Sequence, residues 1–209
     1  VNHDGRSAGA KSYMWVYRSG HLYADRQIVL YDYHKTRNSS HPREFLRDYS
    51  GICVTDGYQV YHTLEREHED LQIAGCWVHA RRKFDDALTV IPKAHQNKSD
   101  AFRVMKQIQA IYREEGKLNK LSSEERLMQR QLVIKPLVDA LFAYLKKMEP
   151  TVPASGQLRK AYTYILNQEK YLRVFLEDGE VPIDNNASEQ AIRGFCIGKN
   201  YVSNLVMCS

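Results

Sequence analysis

The sequence predicts a mixed α/β fold, a sheet covered by helices, and three observations predict it. The first third alternates short aromatic and β-branched runs with turn residues. From about residue 95 the apolar spacing becomes wholly helical. The elements run as strands, then strand and helix, then a helical block, then further helices, the order of a mixed sheet flanked by helices. At 209 residues, and about 150 residues per domain, the chain is one large domain or one domain with an insertion.

Each element has a local reason. Ser12–Arg18 (SYMWVYR) and Gln27–Tyr33 (QIVLYDY) read as the strands of a hairpin, with Ser19-Gly20 opening the turn. Pro42–Tyr49 starts with proline at a permitted helical position, and Phe45, Leu46 and Tyr49 share a face. Gly51–Thr55 (GICVT) is a short buried strand closed by Asp56-Gly57. Leu71–Val78 is a second apolar run, followed by a helix with Phe84, Ala87, Leu88 and Ile91 on one side. Phe102, Met105, Ile108 and Tyr112 stripe the next helix, and Leu127, Ile134, Leu141 and Met148 recur every seven residues. This stripe reads as core, with an oligomer seam as the alternative. Pro136 should kink or split its helix. Residues 150–156 (PTVPASG) read as a linker, and Leu158 to Phe175 as another amphipathic helix stopped by Asp178-Gly179. A last helix carries Glu189, Ile192, Arg193 and Phe195. The expected divisions are 1–94, a helical insertion at 95–156, and 157–209.

Composition excludes several classes. Hydrophobic residues at 43% and charged residues at 26% are globular values. A mean hydropathy of −0.55 and the lack of an 18-residue apolar run argue against a membrane protein, and the expected location is cytoplasmic. The net charge of +5 permits a polyanionic partner without requiring one. Cys53, Cys76, Cys196 and Cys208 form no Cys-x-x-Cys pair and read as buried thiols. The lone Cys76-x-x-His79 offers two ligands where a structural zinc site takes four. No P-loop, dinucleotide fingerprint, zincin or nucleophile-elbow motif occurs, so no nucleotide cofactor is expected.

Three local features could carry chemistry, each with a plain structural reading. Asp56 ends an apolar strand, where ligand sites gather, but Asp-Gly is also a turn pair. Glu189 lies three residues after Asn186, the spacing of a capping box, and four before Arg193, the spacing of a helical ion pair. The cluster His79-Ala80-Arg81-Arg82-Lys83 is either a solvated helix face or an edge that holds phosphates.

Three segments in order, TDGYQVY (55–61), GCWVHARRKF (75–84) and PIDNNASEQAIR (182–193), resemble the transposases of the insertion-sequence-66 family, with support from Ser12–Arg18 and Tyr31-Asp32-Tyr33. The resemblance covers roughly residues 5 to 199. It implies a ribonuclease-H-like catalytic core with a DDE acid triad that binds Mg²⁺, with Mn²⁺ as a substitute, and acts on DNA at transposon ends and targets. By motif, Asp56 matches the second acid and Glu189 the final one, both as metal ligands, while His79 supports the scissile phosphate. Arg81, Arg82, Lys83, Arg193 and Lys199 are the expected DNA contacts, and the helical stretch is an insertion in the core.

The chain departs from the family at both ends. The family's first acid precedes the segment matching Ser12–Arg18, and Asp4 and Asp32 do not replace it. Tyr201–Ser209 (YVSNLVMCS) does not continue the pattern, so the last helices are expected to be lost. The chain, which lacks an initiating Met, is expected to be a fragment that is inactive alone. The alternative is a non-catalytic remnant that binds DNA or associates with itself.

Overall fold

The computed structural model describes residues 7, 9–20, 27–196 and 202–208, with side chains as far as residue 192. Its strands are β1 (Tyr13–Ser19), β2 (Val29–His34), β3 (Gly51–Thr55), β4 (Leu71–Gly75) and β5 (Val202–Cys208). Its α-helices are α1 (Ser40–Phe45), α2 (Gln59–Glu67), α3 (Trp77–Thr89), α4 (Lys93–Gln96), α5 (Asp100–Gly116), α6 (Ser123–Gln129), α7 (Lys135–Met148), α8 (Gln157–Asn167), α9 (Glu169–Arg173) and α10 (Asn186–Cys196). The mixed α/β class expected from the sequence is present. Contacts divide the chain into Val1–Ile73 with Asn185–Ser209, and Ala74–Asp184. The sequence divisions at 94/95 and 156/157 mark changes of pattern, whereas the contacts divide the chain at 73/74 and 184/185.

The first unit is built on a sheet of order β2-β1-β5-β3-β4. The expected hairpin forms, with Met14 opposite Tyr33 and Val16 opposite Tyr31 in antiparallel register. Side chains alternate across a strand, and β1 is apolar on both faces. Met14 and Val16 pack with Ile192 of α10 and with Val29. On the other face Trp15 lies 6.2 Å edge-on to Tyr61 of α2, and Tyr17 stacks on Phe45 of α1 at 3.5 Å. Burying each such side chain stabilises the fold by about 1.5–3 kcal/mol. The helix expected over 42–49 is shorter, ending at Phe45, because Leu46 closes it by donating to the Pro42 carbonyl and then leaves helical geometry.

One element departs from expectation. The divergent C-terminal segment supplies β5, parallel to β1 over its whole length and antiparallel to β3 at Cys53–Thr55. Backbone donors and acceptors along β1 and β3 need partners once buried, and the apolar, β-branched Val202–Cys208 run supplies them.

The second unit is helical after its first residues. Helix α3 packs on α5 and α8, and α7 packs on the same two helices. The Phe142 and Phe175 rings stand edge-on to Trp77, with centroids 6.3 and 6.1 Å from it. The seven-residue stripe is only partly core. Ile134 and Leu141 are buried, but α7 buries Val138, Leu141, Phe142 and Leu145, which follow the helical period. Pro136 acts as expected. The preceding segment, Arg130–Ile134, widens into a π-helix, and α7 restarts with the proline in its first turn.

That π-helical segment opens with a buried ion pair. Arg130 is 1% exposed and Glu115 8%. The Arg130 Nε donates to both Glu115 oxygens at 3.1 and 3.2 Å, and its Nη1 donates to the Phe175 and Asp178 carbonyls at 2.7 Å. A second polar hub holds three helices, as the Tyr144 and Tyr162 hydroxyls both donate to the Asp100 carboxylate. The linker at 150–156 is also tied down, since Arg159 donates to the Pro153 and Val152 carbonyls and pairs with Glu149.

Two predictions follow from this packing. Arg130→Met leaves the Glu115 carboxylate buried and unpaired, and should cost about 3–5 kcal/mol in chemical denaturation. Adding Glu115→Leu should recover most of that loss, and a double variant as unstable as the single would contradict this. The second concerns His41, whose ring stacks on His34 at 3.5 Å. Burial and then the charge of His34 hold its pKa below the usual value, with Asp32 pulling the other way. The unfolded chain therefore binds this proton more readily. Its contribution should be present above the ordinary histidine pKa of about 6.5 and be lost as pH falls through the lowered value. The urea midpoint should fall between pH 7.5 and 5, and by less in His41→Asn.

Candidate functional site

Asp56 follows the last residue of β3 and is half-buried. Its Oδ1 accepts from the Tyr58 backbone N–H at 3.0 Å, an Asx turn. Gly57 makes that turn with φ of +79°, a conformation that favours glycine. Tyr58 then begins α2, and its ring lies 3.8 Å beneath the Arg37 guanidinium and 6.4 Å from Trp15. The turn reading of Asp56 is the geometry present here.

Glu189 lies in the first turn of α10, also half-buried. The capping-box expectation is corrected here. The Ser188 and Glu189 N–H groups both donate to the Asn185 carbonyl, at 2.9 and 3.1 Å. Asn185, not Asn186, therefore precedes the helix, and Glu189 falls one place beyond the box position. A carboxylate in the first turn is favoured by the helix dipole.

The fold brings Asp56 and Glu189 into one compact unit despite their distance in the chain. His79, Arg81, Arg82 and Lys83 all lie on α3, in the other unit. Arg193 is in α10, four residues beyond Glu189, and Lys199 lies outside the described residues. Among the described residues no three His, Cys, Asp or Glu side chains are arranged to hold a metal ion. Cys53 and Cys76 are buried and form no disulfide, in line with the reading of buried thiols.

Sequence reasoning missed two residues beside the acids. The Thr55 hydroxyl and both amide atoms of Asn185 are buried without a hydrogen-bond partner among the described residues. Thr55 immediately precedes Asp56, and Asn185 immediately precedes the helix that bears Glu189. Orphaned polar groups of this kind call for ordered water or a ligand. Carboxylates such as Asp56 and Glu189 are the ligand type that Mg²⁺ takes, an ion that keeps several waters and needs few protein ligands. The DNN triplet was the one sequence signal for Asn185. In the helical unit, Tyr112 donates to Asp184 Oδ2 at 3.1 Å, and burial, then the Asp184 charge, raises its hydroxyl pKa strongly.

Comparison with known proteins agrees with the motifs. The family model described as Transposase IS66 family matches residues 1–205. The uncharacterized protein y4hP of Sinorhizobium fredii (strain NBRC 101917 / NGR234) is 30% identical over 78% of this chain and 31% of its own length. The uncharacterized protein y4qI of the same strain is 30% identical over 90% of this chain and 36% of its own. The chain thus spans about a third of the length of these relatives. No solved structure matches it. No helix among the described residues is long and apolar enough to cross a membrane. With nearly the whole chain matched by one family model, and its three motifs in that family's order, the chain belongs to the IS66 family of transposases.

Proposed function

We propose that this chain is part of a ribonuclease-H-like catalytic domain of a DNA transposase, in which Asp56 and Glu189 hold a divalent metal ion, Mg²⁺ or Mn²⁺. The observation that carries the reading is that the two motif acids share one compact unit, one at the end of a central strand and one on the helix packed against β1 and β5. A mixed sheet with helices on both faces supports the fold part of the reading.

When bound, the ion would stabilise charge developing on phosphate and hydroxyl oxygens during phosphodiester cleavage and strand transfer. The chain's own contribution is placement. The bond from the Tyr58 N–H orients the Asp56 carboxylate, and α10, seated through Ile192, carries Glu189. His79 would support the scissile phosphate. Arg81, Arg82, Lys83, Arg193 and Lys199 would hold the DNA backbone without reading sequence.

Two acids alone suit weak ion binding better than strand cleavage, and among the described residues no three such side chains are arranged to hold a metal ion. That same observation favours a second reading, a non-catalytic module that binds DNA or associates with itself. Titration with Mn²⁺ followed by calorimetry separates the two. Asp56→Asn and Glu189→Gln should each weaken Mn²⁺ binding about tenfold, the loss of one charged ligand worth about 1.4 kcal/mol, with melting temperature nearly unchanged in the absence of metal. Wild-type affinity in both variants would remove the metal reading and leave the second. Cleavage of duplex DNA by the purified chain, abolished by Asp56→Ala, would contradict the expected inactivity.

A further inference from the structure

The basic cluster on α3 divides between two flanks of the helix, and the flanks have different surroundings. Arg81 pairs with Asp85 at 3.7 Å and its charge is felt by Tyr112 of α5. Lys83 turns the other way, its Nζ 5.7 Å over the Tyr164 ring of α8.

Three contacts set the register of α3 against α8 and α9. A Cβ on Gly75 would meet Tyr171 Cβ and the Leu172 N at 3.2 Å. Lys83 meets Tyr164, and the Phe84 and Tyr162 rings stand 5.8 Å apart. The chains are therefore antiparallel here, with His79 level with Gln168. Along this seam Lys170 lies 5.2 Å over Tyr171, Lys83 lies over Tyr164, and Lys160 is one helical turn before Tyr164 on the same face. Lys83, Lys160 and Lys170 are exposed. Asp85 faces Arg81, and Glu169 binds Arg173 and Lys146. Asp86 is exposed three residues after Lys83.

Gln168 interrupts the two helices at the middle of the seam. It is 9% exposed, and its side-chain oxygen has no hydrogen-bond partner among the described residues. A buried water would satisfy it.

We propose that the α3–α8 seam is a track for the phosphodiester backbone of a nucleic acid strand, with Lys83, Lys160 and Lys170 on the phosphates and Tyr164 and Tyr171 as the apolar floor. Lys160 stands about one helical turn, roughly 5.4 Å, from the ring under Lys83, and cations over aromatic rings combine the charge and stacking surface that strand binding uses. The track rests on the DNA reading above but extends it from Lys83 to Lys160 and Lys170, outside the basic cluster, and leaves Arg81 out.

The test is fluorescence anisotropy of the full chain with labelled duplex and single-stranded oligonucleotides, without divalent metal, from 50 to 200 mM salt. The double variant Lys83→Glu/Lys160→Glu should bind at least tenfold more weakly, and its log–log salt slope should fall by about 2, near 0.9 for each lost phosphate contact. Lys120→Glu, exposed elsewhere in the same unit, should change the affinity little. Lys83→Gln/Lys160→Gln should show the same direction with an unchanged melting temperature, which separates lost contacts from lost folding. Unequal losses on duplex and single strand identify the form the track takes. Wild-type affinity and slope in both double variants would overturn the track while leaving the metal reading to its own titration. Absence of salt-dependent binding by the wild type would overturn both the track and the DNA part of the proposed function.

Discussion

Strand β1 carries apolar side chains on both faces, and each face has to be covered. Trp15 and Tyr17 are covered by α2 and α1, elements close behind β1 in the chain. Met14 and Val16 are covered by Ile192, far along the chain in α10. The requirement to bury that second face returns the C-terminal helix to the sheet. The same return brings Glu189 into the unit of Asp56, and β5, which follows, supplies the backbone partners between β1 and β3. The architecture of the candidate site is thus a consequence of covering one strand.

The helical unit is organised by fewer apolar contacts than its sequence stripe suggests and by more polar ones. The buried pair of Arg130 and Glu115 spends nearly every guanidinium hydrogen on a carboxylate or carbonyl. A buried pair is weak grounds for stability but strong grounds for a particular arrangement, since any slip of α5 against the 130–134 segment would strand a charge. The two tyrosines on Asp100 act in the same way on α5, α7 and α8. Pro136 contributes geometry: the π-helical turn before it keeps the chain helical where a regular helix would break.

Much of this was legible beforehand, and the reasons differ by element. The hairpin, β3, α3 and α10 were readable because their apolar periods and turn residues are local properties. The seven-residue stripe misled in part, because a period of 7 and a period of 3.6 coincide over two turns and then diverge, and burial followed the second. The helix expected to run to Tyr49 ended at Phe45, since a short helix is bounded by its tertiary contacts as much as by composition. Asp56 and Glu189 were marked by motif. The buried amide of Asn185, the Tyr112–Asp184 bond and the two flanks of the α3 cluster were not marked, because each is defined by a neighbour remote in the chain.

The amino-acid sequence by itself determined the mixed class, the family, the hairpin, the interruption at Pro136 and the residue types offered for chemistry. These depend on the intrinsic geometry of proline and glycine, on short local patterns, or, for the family, on the order of motifs along the chain. Only the tertiary structure decided that the last apolar segment lies between β1 and β3, that Asn185 precedes α10, and that Lys83 and Arg81 part company. Those outcomes depend on which distant group satisfies a buried backbone atom, ring or charge, and a linear pattern states the need for a partner without naming the partner.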